Sequence, residues 1–281
     1  MLFVARIIPN EGLVEYRNLN GDWAIISDTM YLVNGNAIRT SSASSATIEI
    51  TGETYSSRLD ENSEIEVSDN LVHLTEGEFV NSRIVAANIM SRILDKLNAA
   101  LSFVTVRRQG PCDPVVRTAS NLSLSSDYPD LVWQNACANL LYRLTIDEEI
   151  YDIPNIGDEE IVRFSVTDIA LGSHNYRVEI VEEDNVIYSP RSDSSFDWID
   201  ENSAVEMRNE IARFDSDSLA QSDYLEESGF LVEAMYKYRD YIESHSEQNY
   251  LRPLLIRAYA ELGLYSLQSQ EARLYNSLRN N

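Results

Sequence analysis

The chain has 281 residues, enough for one large domain or for two to three small ones. Hydrophobic residues make up 44% and charged residues 24%, which is typical of a globular protein and excludes general disorder. The formal net charge of −24 argues against nucleic acid as a partner, because a surface this acidic repels phosphate. No run of 18 apolar residues occurs, so no transmembrane segment is predicted.

Residues 1–80 are predicted to be all-β. Short runs alternate apolar and polar residues, as half-buried strands do, and turn residues separate the runs. The runs are LFVARII, GLVEYRN, TMYLV, ATIEIT and EIEVS. Strands that follow one another this closely favour a sandwich or roll.

The order of turns and strands in this segment resembles a FecR-type domain. The residues that carry the resemblance are Gly12-Leu13-Val14, Trp23, Gly35-Asn36-Ala37-Ile38-Arg39-Thr40, Ala46 to Ile50, Thr51-Gly52-Glu53 and Leu59 to Ser63. Asn36 stands where the family usually has Asp. The resemblance implies a FecR-like β roll over residues 1–80 and a place in the bacterial cell envelope.

Residues 81–109 are predicted to form an amphipathic linker helix. From Ala86 to Val104, apolar residues recur at steps of three and four, and Asn81 or Ser82 is the expected N-cap. We expect this helix to pack against a neighbouring domain.

Residues 110–200 return to strand patterns and are predicted to form a small β-sandwich. The candidate strands are NLSLSS, DLVWQ, LLYRLTID, IVRFSVTD and NYRVEIVEED, about ten residues apart. The segment resembles a fibronectin-type-III or immunoglobulin-like module, which implies that Trp133 and Tyr142 are core aromatics.

Residues 201–281 are predicted to be helical, with Gly229 and Gly263 lying 34 residues apart at the corners of two helical hairpins. The segment resembles two tetratricopeptide repeats, with Ala234, Tyr238, Tyr259 and Tyr265 at family positions. Because repeats are stabilised by their neighbours, we expect these two to dock onto the sandwich or the linker helix. The fold class is therefore predicted to be multidomain α+β.

The sequence offers no recognisable catalytic constellation, so we expect a protein that is not an enzyme and that needs no cofactor. His73, His174 and His245 are isolated and have no metal-ligand spacing. Cys112 and Cys137 form an even pair, which predicts a disulfide if the protein is exported. The alternative is two buried thiols in a reducing cytoplasm.

The inner faces of the predicted repeats are the expected partner-binding surface. Counting from the glycine corners places six residues there: Leu219, Asp223, Glu226, Tyr250, Arg257 and Ala260. The alternative is that this face packs on the chain's own sandwich.

The function that follows is a non-enzymatic bacterial envelope protein, periplasmic or at the cell surface, that acts as a scaffold for protein–protein contact. The alternative is a structural subunit of a periplasmic or cell-surface assembly, such as an appendage, a motor or a secretion apparatus, built by self-association. Residues 1–20 show no export signal, so a cytoplasmic location stays open.

Overall fold

The computed structural model describes residues 3–19, 21–53, 55–84, 88–104, 114–137, 139–154, 156–182, 185–214 and 217–279. The chain divides into two compact units. The first contains residues 1–98 and 214–220, and the second contains residues 99–213 and 221–281. The protein is thus of mixed α+β class.

Ten strands form the sheets of the first unit. They are β1 (Ala5–Glu11), β2 (Val14–Arg17), β3 (Ala24–Ile25), β4 (Met30–Leu32), β5 (Ala37–Thr40), β6 (Ser45–Ile50), β7 (Tyr55–Leu59), β8 (Glu64–Ser68), β9 (Leu71–Glu76) and β10 (Phe79–Ile84). One sheet has the order β10-β7-β6-β1-β4 and the other β3-β2-β5-β8-β9, and all their pairings are antiparallel.

Alternate residues of these strands bury one apolar face of each sheet in a shared core, as a period of two requires. The core includes Ile7, Leu32, Ile38, Ile48 and Ile65, none more than 1% exposed. Strand β9 departs from this pattern, because five of its six residues are exposed. It lies at the end of its sheet order and is an edge strand.

The motif around Asn36 has local structural roles. The Asn36 side chain accepts a hydrogen bond from the Val33 backbone N–H at 2.8 Å and donates one to the Tyr16 hydroxyl at 3.2 Å. Arg39 pairs with Glu15 at 2.6 Å and stacks over Trp23. These contacts close the turn before β5 and link β5 to β2.

The predicted linker helix over residues 81–109 is found in part, and its residues 85–87 and 105–109 lie outside the described residues. Residues 81 and 82, the expected N-cap, lie inside β10, and α1 covers Asn88–Ala100, followed by a 3₁₀ helix at Leu101–Phe103. The pairing of β10 with β7 continues to Ile84 opposite Tyr55 and overrides the helical period there. Phe103 and Val104 already belong to the second unit, and their side chains pack against Ile256 and Tyr275 of the same unit.

The second unit begins with an Ig-like sandwich. Its strands are β11 (Leu122–Leu124), β12 (Asp130–Gln134), β13 (Leu141–Ile146), β14 (Glu149–Ile153), β15 (Ile161–Ser165), β16 (Gly172–Glu182), β17 (Asn185–Tyr188) and β18 (Ser194–Trp198). The larger sheet has the order β11-β18-β16-β13-β14, with β17 also paired to β16, and β12 pairs with β15. Trp133 and Tyr142 are core aromatics as predicted, with ring centroids 5.9 Å apart.

Helices form the rest of the described chain. They are α2 (Glu201–Ala212), α3 (Ser218–Glu227), α4 (Leu231–Ser244), α5 (Arg252–Glu261) and α6 (Tyr265–Arg279), with a 3₁₀ helix at Asn249–Leu251. Gly229 lies between α3 and α4, and Gly263 lies between α5 and α6. Both are left-handed, with φ of +84° and +75°, as the predicted corners require.

Both glycine corners rest on the Ig-like sandwich. The Ser123 backbone N–H donates to the Gly229 carbonyl at 2.9 Å, and the Gly263 Cα approaches Arg117 so closely that a Cβ there would lie 2.9 Å from the arginine Cβ. Gln134 adds two hydrogen bonds of 2.7 Å to Ser266 at the start of α6. The helices therefore pack on the sandwich, within one compact unit.

Candidate functional site

The six side chains predicted to bind a partner lie in the helical segment, where three of them are buried and three are half-buried. Leu219 and Asp223 on α3 are 0% exposed, and Arg257 on α5 is 9% exposed. Glu226, Tyr250 and Ala260 are half-buried. Asp223, Glu226 and Arg257 lie close to Tyr238 among the helices of the second unit, and Leu219, which belongs to the first unit, is also buried.

Two of the six, Glu226 and Arg257, are brought together in a buried ion pair. The Arg257 guanidinium lies 2.5 Å from the Glu226 carboxylate, and the Tyr238 hydroxyl donates to the other carboxylate oxygen at 2.9 Å. Burial, reinforced by the nearby Glu226 carboxylate, raises the pKa of Tyr238 well above its usual value, so the phenol stays a neutral donor. Arg257 also pairs with Glu261 at 3.3 Å, so one arginine bridges two carboxylates here and links α3 to α5.

The candidate metal and thiol residues assemble no reactive site among the described residues. No three His, Cys, Asp or Glu side chains in the described ranges are placed to hold a metal ion. No described cysteine is a free thiol, and Cys112 lies outside the described residues, so no disulfide joins two described positions. The bridge between Cys112 and Cys137 stays a prediction.

An accessible cleft lies at one end of the Ig-like sandwich. It has a volume of about 390 Å³ and lies between the β13–β14 turn and the loop that precedes β16. We call it the acidic cleft and define it by Asp147, Glu148, Glu149, Asp168 and His174. All four carboxylate residues are exposed, and none of the described residues that line the cleft is Lys or Arg. Its chemistry therefore favours a cationic ligand.

His174 forms the floor of the acidic cleft. It is 8% exposed, and its ring stacks on Phe196 with centroids 5.3 Å apart. Its Nδ1 lies 2.8 Å from the Asp147 carboxylate and its Nε2 lies 2.8 Å from the Ala170 carbonyl. Both neighbours are acceptors, so only the protonated imidazolium donates to both.

The pKa shifts of this pair agree with that geometry. Burial lowers the pKa of His174, but the hydrogen bonds to Asp147 and Ala170 outweigh it, and the net pKa is raised. The hydrogen bond from His174 lowers the pKa of Asp147. Because His174 is already engaged on both nitrogens, it shapes the cleft and is not positioned as a general base.

Strand β14 forms one margin of the cleft and adds exposed apolar surface. Ile150 is 63% exposed, and Leu171, in the loop across the cleft, is 66% exposed. Tyr151 donates to the Glu149 carboxylate at 2.6 Å and packs on Phe164. Carboxylates flanked by exposed apolar residues are suited to holding a protein segment by contact.

Sequence reasoning missed this site. The run Asp147-Glu148-Glu149 falls in the turn between two alternating strands, and carboxylates in turns of an acidic chain are usually solvated. A second break in the strand pattern could have indicated the site. It runs from Thr167 to Gly172, between β15 and the long strand β16, and carries Asp168 and Leu171. Only the sandwich topology brings the two turns to the same end.

Two adjacent parts of the chain match known families. Residues 116–199 match the family described as the immunoglobulin-like domain of magnetotaxis protein MtxA, and residues 200–277 match its C-terminal domain. No curated protein matches the sequence.

The solved structures that match are distant. The extracellular domain of a one-component system, BT4673, from B. thetaiotaomicron is 7% identical, with a TM-score of 0.21; the match covers 69% of this chain and 36% of that one. The extracellular domain of the hybrid two-component system BT3049 from the same organism is 10% identical, with a TM-score of 0.19; that match covers 66% and 31% of the two chains. The chain thus spans about a third of the length of these structures.

The family matches correct two predictions. The assignment to FecR-type proteins is wrong, since the families that match are those of MtxA. The motif that suggested FecR consists of turn and strand residues with the local roles described above.

The tetratricopeptide assignment of residues 201–281 is also wrong, because this segment matches the MtxA C-terminal domain. The spacing of 34 residues between the glycine corners follows here from the lengths of α4, the 3₁₀ helix and α5, which lie between them. The immunoglobulin-like prediction is confirmed, and over residues 116–277 this chain is similar, domain by domain, to the magnetotaxis protein MtxA.

Proposed function

We propose that this chain is a non-enzymatic protein of the bacterial cell envelope, periplasmic or at the cell surface, that serves magnetotaxis by binding another protein. The observation that carries the proposal is the pair of adjacent matches to MtxA domains, which together run from residue 116 to residue 277. The name of that family supplies the link to magnetotaxis, and the geometry of the second unit supplies the link to protein binding.

The distribution of charge supports binding in preference to catalysis. In the helices, buried charges such as Glu226 and Arg257 are paired with each other. At the end of the sandwich, the carboxylates of the acidic cleft are exposed and are flanked by apolar side chains. Among the described residues, none of the helices has the length and apolar character needed to span a bilayer.

Deletion of the gene in the source organism tests the proposal. We expect the deletion strain to keep its swimming speed but to orient or reverse abnormally in a magnetic field across an oxygen gradient, as measured by tracking single cells. Complementation with the intact gene should restore the behaviour, and a surface control, Glu206→Gln at an exposed position of α2, should complement equally well. Normal behaviour of the deletion strain would refute the proposal.

A second candidate function, self-association into a structural assembly, is favoured by strand β9. This edge strand exposes Leu71 and Leu74 at 60% and 37%, and exposed apolar edges are templates for pairing with another copy. Light scattering of the purified chain over a range of concentrations tests this function. A mass that rises with concentration, and that falls back to the monomer value in Leu71→Lys, would support it. A constant monomer mass would eliminate it.

A further inference from the structure

Resting on the proposed protein-binding function, we propose that the free edge of β14 takes up an extended, basic segment of the partner as an additional strand. The lysine or arginine side chains of that segment would enter the acidic cleft. The proposal names one occupant: a cationic peptide in β conformation.

The first support is the hydrogen-bonding state of β14. Glu149–Ile153 is the last strand in the order of its sheet, and within the described part of the chain it pairs with β13 alone. In an antiparallel pair, alternate residues of an edge strand direct their backbone N–H and C=O groups away from the neighbour. These groups offer an incoming strand the hydrogen bonds that β-augmentation uses.

The second support is charge complementarity along this edge. Asp147, Glu148, Glu149, Asp152 and Asp168 surround it, and all five are exposed. Arg143 on the neighbouring strand β13 forms an ion pair with Asp152 at 3.0 Å, and His174 is bonded to Asp147. This leaves Glu148, Glu149 and Asp168 without a cationic partner among these neighbours, so a strand that carries positive charges fits and an acidic strand is repelled.

The third support is apolar surface of the right kind. Ile150 is 63% exposed and pairs across the sheet with Thr145, so its side chain stands on the outer face, where alternate residues of an added strand would contact it. Leu171 is 66% exposed on the loop that bounds the cleft. A segment that alternates basic and β-branched residues can hydrogen-bond to the backbone of β14, pair its charges with the carboxylates and pack on this apolar surface.

The test uses the full chain and two labelled peptides of about seven residues, a typical strand length. One alternates Lys and Val, and the other alternates Lys and Pro. The two peptides carry the same charge, but proline removes the N–H donors that strand addition requires. Fluorescence anisotropy at physiological salt should show the Lys/Val peptide binding at least about tenfold more tightly. Hydrogen exchange should show new protection confined to residues 149–153.

Matched variants separate the cleft from the general acidity of the chain. Glu148→Gln, Glu149→Gln and Asp168→Asn together should weaken the Lys/Val peptide about tenfold, as three exposed charge pairs imply. The control combines Glu53→Gln, Glu76→Gln and Glu206→Gln, which remove the same charge from exposed positions elsewhere, and should change binding less than about twofold.

Three outcomes would overturn the inference: equal binding of the two peptides, equal effects of the two triple variants, or protection of β9 residues 71–76 in place of β14. Any of these would leave the proposed function intact, because the deletion strain tests that function independently. Conversely, normal taxis of the deletion strain together with specific protection of β14 would keep the site and reject its assignment to taxis.

Discussion

Replacing Gly229 by alanine should lower the stability of the second unit sharply. Gly229 has φ of +84°, and an added Cβ would lie 2.4 Å from the Ser123 Oγ and 3.2 Å from its Cβ. The left-handed backbone costs alanine about 1–2 kcal/mol. The overlap with Ser123 forces a shift that costs about 1–2 kcal/mol more, as overpacking does. We therefore expect Gly229→Ala to lower the free energy of unfolding by about 3 kcal/mol.

The control for the backbone contribution is Gly157→Ala in the same unit. Gly157 also has positive φ, +67°, but nothing lies within 4 Å of an added Cβ. Its substitution should cost only the conformational part, about 1–2 kcal/mol. Urea denaturation followed by tryptophan fluorescence measures both variants, since Trp133 and Trp198 lie in strands of this unit.

A double-mutant cycle with Ser123→Gly isolates the steric part. Removing the serine side chain opens the space that the alanine Cβ needs, so the double variant should be more stable than the sum of the single effects predicts, by about 1–2 kcal/mol. Two results would refute the reasoning: equal losses for Gly229→Ala and Gly157→Ala, or no coupling between positions 123 and 229. Either would mean that the corner does not rest tightly on the sandwich.

Three further predictions concern the charged and thiol groups. Glu226→Gln leaves the buried Arg257 charge without its closest partner, so unfolding measurements should show a loss of about 3 kcal/mol; an unchanged midpoint would show that the pair is not structural. Because folding raises the pKa of His174, the bond between His174 and Asp147 stabilises the folded state below about pH 6.5, and this stabilisation is lost as the pH rises through the pKa of His174 in the folded protein. Because folding lowers the pKa of Asp147, the stabilisation from the Asp147 carboxylate is lost as the pH falls through the pKa of Asp147 in the folded protein. The stability difference between the wild type and His174→Gln should therefore be larger at about pH 5.5 than at about pH 9, and a pH-independent difference would contradict this. For Cys112 and Cys137, thiol titration of the denatured, unreduced protein should find no reactive thiol, and two thiols would rule out the predicted bridge.

Much of the local structure followed from sequence patterns. The runs ATIEIT and EIEVS coincide with β6 and β8 to within a residue, because alternation with a turn on each side specifies a half-buried strand. The resemblance to an immunoglobulin-like module implied that Trp133 and Tyr142 are core aromatics, and burial of large aromatic side chains favours the same positions. Gly229 and Gly263 were placed at helical corners because only glycine adopts the left-handed conformation at low cost.

The expected partner-binding surface shows what helical periodicity cannot predict, namely whether a helix face is exposed or covered. Counting along α3 and α5 put Glu226 and Arg257 on the same face correctly, and the structure joins them. The count did not say whether that face is covered, because coverage depends on how α4 and the other helices close around it. A glutamate and an arginine on the same face suit either a buried ion pair or a surface that binds a partner, and only their burial distinguishes the two.

The amino-acid sequence by itself determined the acidity of the chain, its strand and helix segments and the positions of its glycine corners, because these depend on composition and on periods of two or 3.6 residues. The expectation that the helices dock on the sandwich or the linker helix came from the sequence, but tertiary structure alone decided that they do so through their glycine corners. It also decided that Glu226 and Arg257 form a buried ion pair, and that two turns about 20 residues apart in sequence meet at one acidic cleft beside a free strand edge. Such features arise from contacts between residues distant along the chain, and the periodicity of a single segment carries no information about which distant segment will lie against it.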